Sequence, residues 1–565
     1  MDKRVIRRVT LIGFSLILGG LFYFQIIKGD YYLVRSKANY IKVIPQDTIR
    51  GSILDRNKKL LAYDKPIFNI AVIPYQIRNK KRDLFYELSH FLGVPYNKIN
   101  SNYNRNVKSF FAPVSIIEDI SKEEALRTKE RFGDDIIIKE MPFRFYPFSK
   151  EVSHILGYVK RAEILYNKLK AYGYTPYQRV GFLGVEQYYD SYLRGKDGGK
   201  LVEVDSSGKI VGFLGEQVPQ RGIDITLTID LRMQIAAYKA LSEEKGAIIL
   251  MDPYNGEIFV LCSRPSYDLN KVTKGKGVQN IFRDKRKPFI NRTIQATYPL
   301  GSVFKPIVAI AGLEEKLISK DTTFNCPGYF IFKDSKFSCW DIHGVQNLID
   351  ALVHSCNVYF YNLGLRAGIE RIYRWAKKFN FGKKTDIDLP YEKKGIVPNP
   401  KWKRKYRKKM WFTGDTINIS IGQGYLEVTP LQALVAISAF ANGGYIVRPH
   451  LLKKIGDEET AFLSKNYLNI SSFHLKIIKE GLREAVLRKS GTAHLLYNLS
   501  LGIAGKTGTA QTSGKSHGWF VGFFPYRRPR YSICVFLENA GSSYRALKVA
   551  YQLLLQFKRE GLIKD

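Results

Sequence analysis

Serine is a poor nucleophile at its own pKa, so a catalytic serine needs a base within reach. Ser302-Val303-Phe304-Lys305 supplies such a pair. Pro299-Leu300-Gly301 breaks the chain ahead of it, and a helix can start at Ser302. Residues i and i+3 share a helix face, which brings the Lys305 amine toward the Ser302 hydroxyl. Burial or neighbouring cations would lower the lysine pKa enough for it to take the serine proton. A helix N-terminus would favour the alkoxide that forms. Alone, such a tetrad arises by chance in many long chains. Two further segments add to it. Ser355-Cys356-Asn357 offers a hydroxyl that can relay a proton to a leaving amine and an amide that can bind a substrate carbonyl. Lys506-Thr507-Gly508-Thr509, on an apolar strand, would expose a cation, hydroxyls and a free backbone edge. Gly508 lets a substrate backbone come close, so a substrate carboxylate can be anchored while its chain docks as an added strand.

Groups so far apart in sequence need a domain that folds the two ends of one region together. Ile225 to Ile229 reads as a strand, and Asp230 caps a helix running through Leu241. Gly246 to Met251 and Glu257 to Leu261 flank the turn Asp252-Pro253-Tyr254-Asn255-Gly256, a hairpin pattern. A mostly helical section follows from about 300 to 445. Three strand-like runs come last (Gly502 to Gln511, Trp519 to Phe524, Tyr531 to Leu537), then an amphipathic helix from Tyr544 to Lys558. A sheet built from both ends with helices between is an α+β architecture. Ahead of this region, from about 75 to 215, short helices and strands mix, and Ser121-Lys122-Glu123-Glu124 is a capping box.

Val9 to Ile27 carries no charge over 19 positions. As a helix it spans about 28 Å, close to the hydrocarbon thickness of a bilayer. Lys3, Arg4, Arg7 and Arg8 precede it, which predicts a cytoplasmic N-terminus and an exported remainder. The run is long for a signal peptide, and no small-x-small cleavage site follows, so an uncleaved anchor is expected.

Together the three active-site segments resemble those of penicillin-binding proteins and serine β-lactamases, in the same order and with the same wide spacing. Arg50-Gly51-Ser52-Ile53-Leu54-Asp55-Arg56-Asn57, Arg144-Phe145-Tyr146-Pro147, Gly184-Val185-Glu186 and Leu193-Arg194-Gly195 resemble motifs of the class B members. So does Gly422-Gln423-Gly424 ahead of Thr429-Pro430. The stretch Tyr298 to Pro306 is most similar to the penicillin-binding protein 2 group, with Leu300 where a second proline is usual. The resemblance implies a transmembrane helix at 9–27 after a tail at 1–8, an elongated mixed pedestal at 42–218, and a transpeptidase domain of serine β-lactamase-like fold at 222–562. It implies a periplasmic D,D-transpeptidase of wall elongation, inhibited by β-lactams and acting on peptidoglycan stem peptides that end in D-alanyl-D-alanine. Ser302 would form the acyl-enzyme, Lys305 would be the base, and the N–H groups of Ser302 and Thr509 would hold the oxyanion. Lys506, Thr507 and Thr509 would bind the terminal carboxylate. A lipid-linked glycan polymerase and elongation-complex proteins are the implied partners. The division-specific transpeptidase of the same class is the near alternative. A β-lactamase has no use for the pedestal. A β-lactam sensor would need a signalling region, and a scaffold would not need all three motifs.

The chain has 565 residues, a formal net charge of +38 and five cysteines. The charge invites anionic partners (lipid head groups, the wall polymer) or marks solvated lysine faces. No nucleic-acid motif is present, and nucleic acid is not expected as a partner. Cys326, Cys339, His343 and Cys356 make a full tetrahedral zinc set of three thiols and one imidazole. By resemblance, some relatives carry a metal in this insertion, which keeps Asp334 and Asp341 in reserve. A Cys326–Cys339 disulfide is the rival reading. His154 and His517 read as hydrogen-bonded structural residues, and Asp415 as shaping a loop.

Overall fold

In the computed structural model of the protein, residues 2–107, 110, 113–162, 167, 178–205, 210–460 and 465–563 are described. The chain folds into two compact units. One holds Met1–Gly51, Asp64–Arg144 and Arg194–Gly222; the other holds Ser52–Tyr63, Phe145–Leu193 and Ile223–Asp565.

In the smaller unit, a continuous helix covers Lys3–Ile27; an 18-residue stretch of it has a mean hydropathy of 1.9, with no buried residue. At 1.5 Å per residue it is long enough to cross a bilayer. A helix Gly29–Tyr40 leads into a three-stranded antiparallel sheet, ordered Ile41–Gln46, Gly198–Val204, Ile210–Gln217. A second part packs the helices Lys81–Leu92 and Tyr96–Asn106 on a strand pair, burying Ile70, Val72, Phe85, Leu88, Ile99 and Ile116. The expected capping box at Ser121 is present: its hydroxyl accepts from Glu124 N–H, and the Glu124 carboxylate accepts from Ser121 N–H. The Arg50 and Arg144 motifs meet here. Asp64 accepts from Arg50 N–H at 3.0 Å and pairs with the fully buried Arg144 at 3.3 Å, while Arg144 also donates to Gly51 O.

The larger unit is built on a five-stranded antiparallel sheet: β1 (Gly246–Met251), β2 (Ile258–Arg264), β3 (Ala504–Ala510), β4 (His517–Phe524) and β5 (Tyr531–Leu537), in spatial order β2-β1-β5-β4-β3. Both ends of the region build it, as the sequence suggests. Its period-two pattern is apolar on both faces. Ile248, Leu250, Phe520, Ile533 and Val535 pack on one side against α1 (Leu231–Leu241) and the last helix, Ser543–Arg559. Ala247, Ile249, Trp519, Val521 and Phe536 face the main core on the other. A fully buried Leu, Ile or Phe contributes about 2 kcal/mol, so these two faces are a large share of what holds the unit together. The helical section supplies α2 (Lys305–Glu314), α3 (Asn357–Lys378), α4 (Pro400–Arg407), α5 (Thr413–Ser420) and α6 (Pro430–Ala441). The twelve residues of α6 are all buried.

One feature differs from the sequence reading. The section between 300 and 445 is interrupted by two small hairpins, Phe324–Cys326 with Gly344–Gln346 and Tyr329–Phe332 with Ser335–Ser338. Their strands are three or four residues long, too short for a clear period-two signal. The turn that closes the Arg50–Asn57 segment lies in the larger unit and is tied into it by several hydrogen bonds. Asp55 accepts from Asn57, Lys59 and Leu231 N–H groups, Asn57 donates to Asp230, and Arg56 pairs with Glu257 at 3.1 Å.

Candidate active site

Ser302 does not begin a regular α-helix. It lies in a 3₁₀ turn, Gly301–Phe304, that runs into α2 at Lys305. The turn is pressed onto the sheet. Gly301 has φ +59°, and a Cβ there would stand 2.7 Å from Thr509 O. Gly508 is equally confined, since its Cβ would meet Val303 Cγ2 at 2.9 Å and Leu300 O at 3.0 Å. Glycine on both sides is therefore what brings the serine turn against β3. The Gly422 carbonyl and the Gln423 side chain complete the clamp: Gly301 N–H donates to Gly422 O at 2.9 Å, and the Gln423 amide donates to Thr509 O at 3.4 Å. From below, Trp519 Nε1–H donates to Pro299 O at 3.1 Å.

Lys305 is fully buried. Its Nζ donates to Ser355 O and Asn357 Oδ1, both at 2.7 Å, and to Ser355 Oγ at 3.3 Å. Among the described residues no hydrogen bond joins it to Ser302 Oγ; such bonds are often long before substrate binds. Burial pushes the Lys305 ammonium down to about 8, against a weaker upward pull from Cys356, Cys339 and Cys326. Ser355 has φ +54°, a conformation rare for a side chain. Asn357 opens α3, and its amide also donates to Ser338 O at 3.3 Å, so the second hairpin touches this wall of the site.

The third motif lies on β3, at the free edge of the sheet. The edge is as expected, but the cation is not exposed: Lys506 is fully buried and Thr507 nearly so. The serine turn covers them, because only glycine separates the two segments. Lys506 Nζ donates to Thr507 O at 3.2 Å. Burial first, then the Lys305 charge, hold Lys506 well below its ordinary value. Thr509 is partly exposed, and its hydroxyl accepts from Ser543 N–H at 3.1 Å. The eight candidate site residues of the three motifs (Ser302, Lys305, Ser355, Asn357, Lys506, Thr507, Gly508 and Thr509) thus lie on three segments that pack together at one sheet edge. The two buried lysines have no carboxylate partner among the described residues.

The ligand atoms of Cys326, Cys339, His343 and Cys356 lie within 4.8 Å of one another, and all five cysteines are free, which removes the disulfide pairing. His343 Nδ1 is 3.5 Å from both Cys326 Sγ and Cys339 Sγ. With Zn–S near 2.3 Å and Zn–N near 2.0 Å, a tetrahedral site has S···N edges of about 3.5 Å. The donor set and spacing therefore fit zinc. Cys339 Sγ accepts the Cys356 thiol proton and, at 3.2 Å, Asn357 N–H, which lowers the Cys339 pKa. The cluster is one bond from Asn357. Asp334 is exposed and is no part of the set; Asp341 contributes only its carbonyl, toward Cys326 Sγ at 3.7 Å.

His154 and His517 are hydrogen-bonded within the fold. His154 is buried, with Nε2 at 2.8 Å from Pro288 O, and burial pushes it down to about 4. His517 Nδ1 accepts from Asn539 N–H. Asp415 does more than shape a loop: it accepts from Phe412 N–H at the start of α5 and pairs with the buried Lys403 at 2.5 Å. Sequence reasoning missed a buried knot beneath the site. Glu538 accepts from Arg292 Nε–H at 2.9 Å and from the Tyr298 hydroxyl at 2.5 Å, four residues before Ser302. Glu538 is 240 residues or more from both partners, and no local pattern announces them.

A serine turn with a buried lysine one turn on, set against the edge strand of an α/β/α domain, is a serine acyltransferase site. The Penicillin binding protein transpeptidase domain family matches residues 246–557, and the Penicillin-binding Protein dimerisation domain family matches 45–227. The Peptidoglycan D,D-transpeptidase MrdA of Haemophilus influenzae is 32% identical over 96% of this chain and 90% of its own length. That of Acinetobacter baumannii is 33% identical, over 96% and 85%. Among solved structures, Helicobacter pylori PBP2 in complex with MreC aligns with a TM-score of 0.83 at 29% identity, covering 93% of this chain and all of that one. Pseudomonas aeruginosa PBP2 in complex with WCK 5153 aligns at 0.69 and 27%, covering 91% and 96%. The chain belongs to the class B penicillin-binding proteins, in the penicillin-binding protein 2 group.

Proposed function

We propose that this chain is the peptidoglycan D,D-transpeptidase of wall elongation in its cell and that Ser302 carries the acyl group. The observation that supports this most is the meeting of Ser302, the Lys305–Ser355–Asn357 set and the Lys506 strand at one sheet edge. A stem peptide ending in D-alanyl-D-alanine docks along β3. Its terminal carboxylate supplies the counter-charge that buried Lys506 lacks, and Thr507 and Thr509 help hold it. Ser302 Oγ attacks the penultimate carbonyl carbon as its proton passes to neutral Lys305. The N–H groups of Ser302 and Thr509 take the oxyanion. The C–N bond breaks, and the proton moves from Lys305 through Ser355 Oγ to the departing D-alanine amine. A neighbouring stem's amine then attacks the ester, gives its proton back along the same path, and releases Ser302. Asn357 fixes Lys305 and presents its amide to the substrate backbone.

Cys326, Cys339, His343 and Cys356 would hold a zinc ion, which when bound ties the 326–343 hairpins to the Ser355–Asn357 wall and takes no part in the reaction. The apolar helix at 9–27 anchors the chain in the inner membrane, with its basic tail inside and the catalytic unit outside. Relatives solved with MreC and in a peptidoglycan synthase complex support an elongation-complex protein and a lipid-linked glycan polymerase as partners. The test is product analysis. The full chain in detergent, given uncrosslinked peptidoglycan polymer, should yield stem–stem dimers and free D-alanine. Polymer returned unchanged would contradict the reading.

A further inference from the structure

The segment Lys401 to Lys409 carries seven cations in nine residues and no acid. It forms α4 and the turn after it. Lys403 is buried and pairs with Asp415, which fastens α4 to α5. The other six (Lys401, Arg404, Lys405, Arg407, Lys408, Lys409) are exposed, and none has an ion pair among the described residues. Cations near the helix C-terminus complement its dipole, but Lys401 stands in the first turn, where a cation opposes it. Lys401/Lys405 and Lys403/Arg407 are like charges four apart, which destabilise a helix. Helix stability alone therefore does not account for this charge.

Aromatic rings are set among these cations. Trp402 packs against Tyr406 at 5.8 Å and against Tyr425 at 5.5 Å between ring centroids. The Arg407 guanidinium lies 5.8 Å from the Trp402 ring and 5.3 Å from Tyr425. Tyr406 is exposed, as are Met410 and Phe412 beyond it. The platform adjoins the cleft: Tyr425 is two residues from Gln423, whose amide donates to Thr509 O on the substrate strand. Two residues span at most about 7 Å.

Flat rings offer faces to pyranose rings, and unpaired Lys and Arg offer charge to carboxylates. A polymer of sugars whose stem peptides end in carboxylates matches both. We propose that α4 and its cluster of tilted rings are a docking platform that holds a peptidoglycan strand beside the active site, through stacking of sugars on Tyr406 and Trp402 and ion pairs to the exposed cations. This rests on the D,D-transpeptidase reading.

The test uses the full chain in detergent, with purified sacculi as the probe, and compares wild type with Lys405→Glu/Arg407→Glu and with Tyr406→Ala. Sacculus binding is measured by co-sedimentation at two salt concentrations, in saturating penicillin so that the cleft is closed. Acylation by a fluorescent penicillin is measured in parallel. Both variants should bind sacculi about tenfold more weakly, a loss of one or two good contacts, with a smaller salt dependence in the charge variant. Acylation should be unchanged. Undiminished sacculus binding overturns the proposal. So does acylation that falls in step with binding, which would make α4 part of the cleft's scaffold. Wild-type binding to anionic phospholipid vesicles as tight as to sacculi, lost in the same variants, overturns it in favour of a membrane surface. A wild-type protein that no penicillin acylates refutes the transpeptidase reading instead, and its sacculus binding still reports on the platform.

Discussion

Lys305 works as a base only when neutral, and its surroundings set how often that is. Burial places its pKa at about 8. A group with that pKa is neutral in roughly one molecule in ten at pH 7 and roughly nine in ten at pH 9. The first-order acylation constant, measured by stopped flow at saturating fluorescent penicillin, should therefore rise nearly tenfold between pH 7 and 9. It should then level off. The sign follows from the role: the deprotonated amine is the active form, so activity is gained as pH rises through the pKa. Saturation separates this step from Lys506, whose loss of charge would weaken binding of the probe. Lys305→Arg keeps the charge and removes the base, because arginine stays protonated. It should lose about 10²- to 10⁴-fold in the same constant, the range for a general base. A profile that is flat or falling from pH 7 to 9, or an arginine variant within a few fold of wild type, would refute Lys305 as the base.

Elemental analysis of the purified chain should find one zinc per molecule, lost in Cys356→Ser; metal-free protein with all thiols titratable would contradict the cluster's proposed role. Gly301→Ala should cut penicillin acylation about tenfold or more, since its Cβ would stand 2.7 Å from Thr509 O. Gly93→Ala, also at positive φ but with nothing within 4 Å, should cost only about 1 kcal/mol of stability and leave acylation intact; equal acylation losses would contradict the close-approach argument. Glu538→Ala strands the nearly buried Arg292 and should cost about 3 kcal/mol in urea unfolding, as breaking a buried pair does. A loss under about 1 kcal/mol would show the knot to be unimportant.

Motif spacing and apolar periodicity carry far in this chain. The strands at 246–251 and 531–537, the Asp230 cap and the Ser121 capping box all stand where local pattern puts them, and the strand expected from Trp519 to Phe524 starts two residues earlier, at His517. The Lys506 motif sits on its strand, but its burial is invisible locally, because it depends on Gly301 and Gly508 letting two distant segments touch. The hairpins at 324–346 were missed because strands of three or four residues carry no readable period. In three dimensions they bring Cys326 and His343 beside Cys339 and Cys356. The Glu538–Arg292–Tyr298 knot is of the same kind, a tertiary arrangement of residues that look ordinary one at a time.

The central claim is that Ser302 is the acylated residue, and the most direct measurement is mass spectrometry of the penicillin-treated full chain after proteolysis. The account predicts one penicilloyl group on the peptide containing Ser302 and none on Ser302→Ala protein. An adduct on another residue, or an Ser302→Ala variant acylated like wild type, would contradict it.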